Sequence, residues 1–273
     1  MSATIRDDVK KVADALSRDN LQEEDIMSDE VVMSNGTGLS QVERVVDTFV
    51  APSKTFTDIL SNRSWWLPFL LTIIVSLCVT LSTEKQVGFG RVVENQIQAS
   101  PKQEDALASL TPEQRAGRVH GMEVGYRYTS YAFPLLVLLF SAIAALGLWA
   151  TFNFVLGAKT TFGEMFCLWM YCSLPRLLIG LLTIVTLFFG GNAEAFDVKN
   201  PVGTNLAYYL PDAGPGLKSA LSFFDVVGIW CLVLLVIGTA IVAKVSRGKA
   251  AAVVVGWWVL ILIISAGMAA AFS

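Results

Sequence analysis

The sequence predicts an all-α fold: a polytopic membrane bundle of five transmembrane helices, with short amphipathic helices and outer-loop helices around it. Three observations predict it. Only 16% of the 273 residues are charged and 54% are hydrophobic, with a mean hydropathy of +0.57, whereas a soluble domain carries about 25% charged residues. Five apolar runs approach or exceed the ~20 residues that a helix needs to cross a hydrocarbon core of about 30 Å. Trp65, Trp66, Tyr128 and Tyr131 sit at run ends, as an aromatic belt requires.

Residues 1–40 read as a polar, acidic, largely flexible cytoplasmic tail. Ile5, Val9, Val12 and Leu16 recur at helical spacing, which predicts a short amphipathic helix over 4–17. The tail has no apolar stretch of the signal-peptide kind, so the first span is expected to direct insertion. Residues 40–61 form a second amphipathic element. Val42, Val45, Val46, Phe49 and Val50 make one face, Pro52 breaks it, and Phe56, Ile59 and Leu60 resume it. A helix–proline–helix leading into a span suits either an element in the interface plane or a soluble helix beneath the bundle.

The spans are expected at about 65–82, 130–156, 162–190, 222–243 and 250–272; together with what precedes them, residues 41–273 form one membrane domain. Lys and Arg in short loops mark the cytoplasmic side. Arg44, Lys54 and Arg63 precede the first span, Lys159 follows the second, and Lys244, Arg247 and Lys249 crowd the connection between the last two. Trp65, Trp66, Lys244, Arg247 and Lys249 are the expected interfacial anchors. All agree on a cytoplasmic N-terminus and an outside C-terminus. Ser100-Pro101 and Thr111-Pro112 each place an N-cap before a first-turn proline, so the outer loop 83–129 carries short helices. The outer loop 191–221 is dense in Pro, Gly and Asn and reads as a lid or a plug.

The net charge of −3 offers no basic footprint for nucleic acid. Cys78, Cys167, Cys172 and Cys231 all fall in apolar runs, where a thiol behaves as a small hydrophobe. The single histidine, His120, has no ligand-spaced neighbour, so neither a metal nor a cofactor is expected. No Ser–His–Asp, Walker or HExxH pattern occurs, and no enzyme is predicted.

One segment breaks the apolar rule. Tyr171-Cys172-Ser173-Leu174-Pro175-Arg176 interrupts the third run. That run of 29 residues would be roughly 43 Å long as a straight helix, so a bend belongs just before Pro175. Either Arg176 lies near the midplane and needs a partner, or it snorkels at the inner edge. Candidate partners are Tyr171, Asn153, Glu164 and Asp225. Asp225 also suits the N-cap of the fourth span. Small residues at Ser141, Ala145, Gly147, Ala266 and Ala270 suit helix packing or a homo-oligomer.

Three stretches carry a family resemblance. VVDTFVAPSKTFTDILSNRSWWLPFLL resembles the entry segment of the Yip1 family of five-span membrane proteins. FNFVLGAKTTFGEMFCLWMYCSLPRLL resembles its core, with Phe-Gly opening the third span and Tyr-x-Ser-x-Pro within it. LSFFDVVGIWCLVLLVIG resembles its fourth span, with Asp225, Trp230 and Gly238 in place. The likeness covers about residues 41–273. The long outer helical loop and the NPVGTN segment are similar to a bacterial branch, implying a bacterial cytoplasmic (inner) membrane. The resemblance implies a non-enzymatic membrane scaffold or adaptor; eukaryotic members associate with Rab-type GTPases and with one another through a hydrophilic N-terminal region. The first 40 residues here do not resemble that region. The expected partners are the lipid bilayer, a protein bound by the tail and a second copy of the chain. The broken third span leaves the alternative of a small transporter, channel or lipid-handling protein.

Overall fold

The computed structural model describes residues 38–190 and 196–272, and every regular element among them is helical. The helix expected over 4–17 lies outside the described residues. Residues 41–273 form one compact unit.

The described residues open with a hairpin of short helices, α1 (Gln41–Val50) and α2 (Pro52–Asp58). Pro52 occupies the first turn of α2, where its missing N–H is no loss. A long apolar helix, α3 (Trp66–Gln86), follows. Gly88, at φ 81, turns the chain into α4 (Phe89–Gln98). Then come α5 (Pro101–Ala108) and α6 (Pro112–Tyr131), the latter opened by a reciprocal capping box of Thr111 and Gln114. Both begin at the prolines that the sequence marks.

The second long apolar element, α7 (Phe133–Ala150), ends in a π-helical turn over Thr151–Val155. The third run is two helices, α8 (Phe162–Cys172) and α9 (Arg176–Phe189), with the break at Ser173–Pro175. A single 3₁₀ turn (Leu206–Tyr209) precedes α10 (Pro215–Ser222), α11 (Val226–Val242) and α12 (Arg247–Phe272).

Among the described residues four stretches are long and apolar enough to cross a membrane: Trp66–Gln86, Phe133–Val155, Phe162–Phe189 and Arg247–Ala271. The helix α11 has only 17 residues, about 25 Å of rise. The sequence expects the fourth span over 222–243, and α11 covers most of it. Before it, α10 lies along the C-terminal half of α12. Ser219 Oγ meets Ser265 Oγ at 2.9 Å, and a Cβ on Gly216 would stand 2.9 Å from that of Ala270. Phe223 and Phe224 then set their rings edge-on to Trp258 at 6.2 and 5.5 Å. So α10 and α11 together retrace α12, and their break at Phe223–Asp225 falls beside its middle. Trp258 stands eleven residues from Arg247, about 16 Å of rise.

The core lies where α2, α7, α8, α11 and α12 converge, around Phe56, Ala145, Phe152, Met165, Leu168 and Val254. Gly238 on α11 permits the closest approach: a Cβ there would collide with Leu168 and stand 3.2 Å from Phe56. Phe49 meets the Trp230 ring edge-on at 5.6 Å. Trp230 precedes Val242 by twelve residues, about 18 Å of rise. The α1–α2 hairpin is therefore wedged into the flank of the bundle rather than lying beneath it. Its expected valine face is divided. Val45 and Phe49 pack on the core, while Val42, Val46 and Val50 stay exposed at 66%, 53% and 73%.

Candidate functional site

The break in the third run is a tight turn. Ser173 N donates to Trp169 O at 3.0 Å, Leu174 N to Tyr171 O at 3.1 Å, and Arg176 N to Ser173 O at 3.0 Å. Pro175, without an N–H, sits inside that turn and ends α8 before it. Arg176 opens α9. Its side chain is exposed by the fold and reaches the Cys231 thiol on α11.

The four candidate partners of Arg176 are engaged elsewhere. Glu164 accepts Arg63 Nη2 at 2.9 Å and closes a capping box with Thr161. Asn153 latches the turn after α7: its Nδ2 donates to Thr160 O at 3.0 Å, and Thr160 N donates to its Oδ1 at 2.9 Å. The Tyr171 hydroxyl lies 3.0 Å from Gln41 Oε1 and 3.3 Å from Ser64 O. Asp225 Oδ1 accepts Gly228 N at 2.7 Å and caps α11. Among the described residues no carboxylate comes within ion-pair distance of Arg176. An arginine without an acidic partner at membrane depth costs at least about 2.5–3.5 kcal/mol.

Asp225 sits at the N-terminal end of α11, at the break between α10 and α11 and beside the middle of α12. There the preceding loop folds back onto it. Val226 N donates to Thr204 O at 3.0 Å, and Asn205 bridges Asp225 in antiparallel fashion. The loop is stitched down at its start as well. Asn95 Nδ2 donates to Phe196 O at 3.1 Å, and Lys199 N to Asp197 Oδ1 at 2.9 Å. It is a fixed plug.

The two breaks face one cavity of about 1100 Å³, bounded by α7, α8, α9, α11, α12 and this loop. Arg176, Lys199, Asn200, Asn205 and Asp225 line its polar part. Non-helical backbone at membrane depth is tolerated where it lines such a cavity. Asn200 is 8% exposed; its Nδ2 donates to Asp197 Oδ2 at 3.2 Å, and among the described residues its buried Oδ1 has no donor. A buried unsatisfied acceptor costs about 1–3 kcal/mol.

Sequence reasoning counts Arg44 as a loop cation, but the structure buries it completely, at 0% exposure. Its guanidinium pairs with Asp58, lies 3.4 Å from Ser64 O, and stands 6.0 Å from the Tyr171 ring centroid. Its own carbonyl accepts Thr48 Oγ1 at 2.7 Å and Thr55 Oγ1 at 3.0 Å. Arg44 and Asp58 are equally far from Ala51, so a hairpin turning there brings them together; that spacing is the signal in the sequence. Of the expected anchors, Trp65 packs inward, edge-on to Phe166 at 5.1 Å, whereas Trp66 is 53% exposed. Lys244, at φ 53, turns the chain between α11 and α12, and it is exposed together with Arg247 and Lys249.

The family model for the Yip1 domain matches residues 46–268. No curated protein and no solved structure matches the chain.

Proposed function

The chain belongs to the Yip1 family of membrane proteins, and from that premise we propose that it acts as a non-enzymatic membrane scaffold, or adaptor, of the trafficking type. The observation that carries this is the α1–α2 hairpin. The Arg44–Asp58 pair clasps it, Phe49 packs it against Trp230 of the bundle, and Val42, Val46 and Val50 face away from the protein. At the height of Trp230 that direction leads to lipid. A fixed apolar ridge added to one leaflet displaces acyl chains on that side only, which is how interfacial helices sense and shape bilayers.

In this reading α10 and α11 together make a fifth, discontinuous span. The exposed Lys244, Arg247 and Lys249 face the cytoplasm with the N-terminus, and the C-terminus lies outside, in a bacterial cytoplasmic membrane. The tail 1–40 recruits a protein partner, and the scaffold works as a homo-oligomer.

The test replaces Val42, Val46 and Val50 together by serine and reconstitutes the full chain into vesicles. The wild type narrows vesicles or tubulates them in proportion to its density, and the triple variant does so several-fold less at an unchanged melting temperature. Equal remodelling by both proteins rejects the ridge as the working part. Deleting residues 1–40 removes partner capture while leaving remodelling intact.

A further inference from the structure

The geometry points to the cavity between the broken helices as a binding site for an anionic glycerophospholipid with a hydroxyl-bearing headgroup, of the phosphatidylglycerol class. This is independent of the scaffold reading. Among the described residues, the charged groups that line the cavity are Arg176, Lys199 and Asp225. Asp225 already accepts the Gly228 N–H, so the excess is cationic. Arg176 presents a guanidinium without an acidic partner among the described residues, at the N-terminal end of α9. There the helix dipole also favours an anion. A phosphate diester suits a guanidinium by geometry as well as charge.

The second requirement comes from Asn200. Its amide nitrogen is committed to Asp197, which fixes the side chain's orientation and leaves Oδ1 as a buried acceptor with no donor among the described residues. A ligand that completes this site brings a hydrogen-bond donor as well as a negative charge. A glycerol headgroup has both. A choline headgroup has no such donor and a cation beside its phosphate.

The third requirement is a tail. Below the polar groups the wall is apolar, with Leu148, Leu235 and Val254 inside, and Phe140, Ile143 and Ile261 at an exposed rim. Along α7 it extends from Phe140 to Thr151, about 16 Å of rise. The exposed rim lets an acyl chain enter sideways from the bilayer. Pockets for small ligands usually run about 300–1,000 Å³, and this one, at about 1100 Å³, holds a headgroup with part of one chain.

The experiment delipidates the full chain in detergent and titrates it with phosphatidylglycerol, phosphatidylcholine or water-soluble glycerol 3-phosphate. Bound lipid is counted by native mass spectrometry, and the melting temperature is followed in parallel. Phosphatidylglycerol is expected to bind one per chain, at least ten-fold tighter than phosphatidylcholine. R176Q is expected to lose most of that preference, and N200L part of it. Should R176Q fail to fold, I143W, at the exposed rim, serves as a second variant. It fills the apolar wall without touching the charges and should weaken binding while the protein stays monodisperse. Equal binding of both lipids, or a preference unchanged in R176Q, overturns the proposal. Saturation by glycerol 3-phosphate as tight as by the lipid replaces it with a free phosphate-ester site.

Discussion

Arg44 and Asp58 stand seven residues to either side of Ala51 and close an ion pair in which the arginine has no exposed surface. The pair is the clasp of the α1–α2 hairpin. Removing one partner of a buried pair strands the other charge and costs about 3–5 kcal/mol. R44M should therefore lower the melting temperature sharply, and the double variant R44M/D58L should recover much of the loss. A loss for R44M no larger than the ~0–1 kcal/mol of a surface pair would mean that the hairpin is not wedged into the bundle.

Gly238 gives a second, sterically defined prediction. A Cβ there collides with Leu168, which is itself fully buried. Overpacking of a filled core costs about 1–3 kcal/mol, so G238A should destabilise by about that much. Gly256 on α12 is the control: a Cβ there meets nothing within 4 Å, and G256A should be neutral or slightly stabilising, by up to about 1 kcal/mol through helix propensity. If the two variants melt alike, α8 and α11 are not in the contact described.

What the sequence reveals here follows from what is local. First-turn prolines at Pro101 and Pro112 mark helix starts because a cap and a fixed φ act within one turn. Long apolar runs reveal α3, α7 and α12 because length and hydropathy suffice. The same criterion hides α10. Its eight residues are too few and too mixed to register as half a span, so Asp225 reads as the end of a helix that in fact continues on the other side of a break. The partner of Arg176 is sought among nearby polar residues, yet the cavity that Arg176 faces is built by loop residues 199–205 folding back onto α11, a long-range contact with no local signature. Arg44 is missed for the opposite reason: composition assigns arginine to the surface, and only the hairpin pairing with Asp58 makes burial tolerable.

Asp225 separates capping from charge. Its Oδ1 accepts Gly228 N at 2.7 Å, the bond that an N-cap supplies. Asparagine caps as well as aspartate, so D225N should melt within about 0.5 kcal/mol of the wild type, whereas D225A should lose about 0.5–2 kcal/mol. Thermal unfolding of the three proteins in one detergent measures it. Equal losses in D225N and D225A would show that the carboxylate's charge, rather than the cap, holds the break between α10 and α11.

Tyr131 should make the contact between α3 and α6 sensitive to alkali. Its hydroxyl donates to Glu84 Oε2 at 2.7 Å. That bond, then partial burial and the glutamate's charge, raise the phenol above its ordinary value near 10, with Arg127 opposing. Because the folded value is raised, the contribution is fully present below the unfolded value and is lost as pH climbs through the folded one. Wild type should thus melt above Y131F at pH 8 by a margin that holds up to the ordinary phenol range and closes beyond it. Comparing the two proteins at each pH cancels the titration of the other tyrosines and of the lysines. A margin that widens with alkali would mean that the phenolate, not the phenol, is the form held against α3, and the donor in this pair would have to be reassigned.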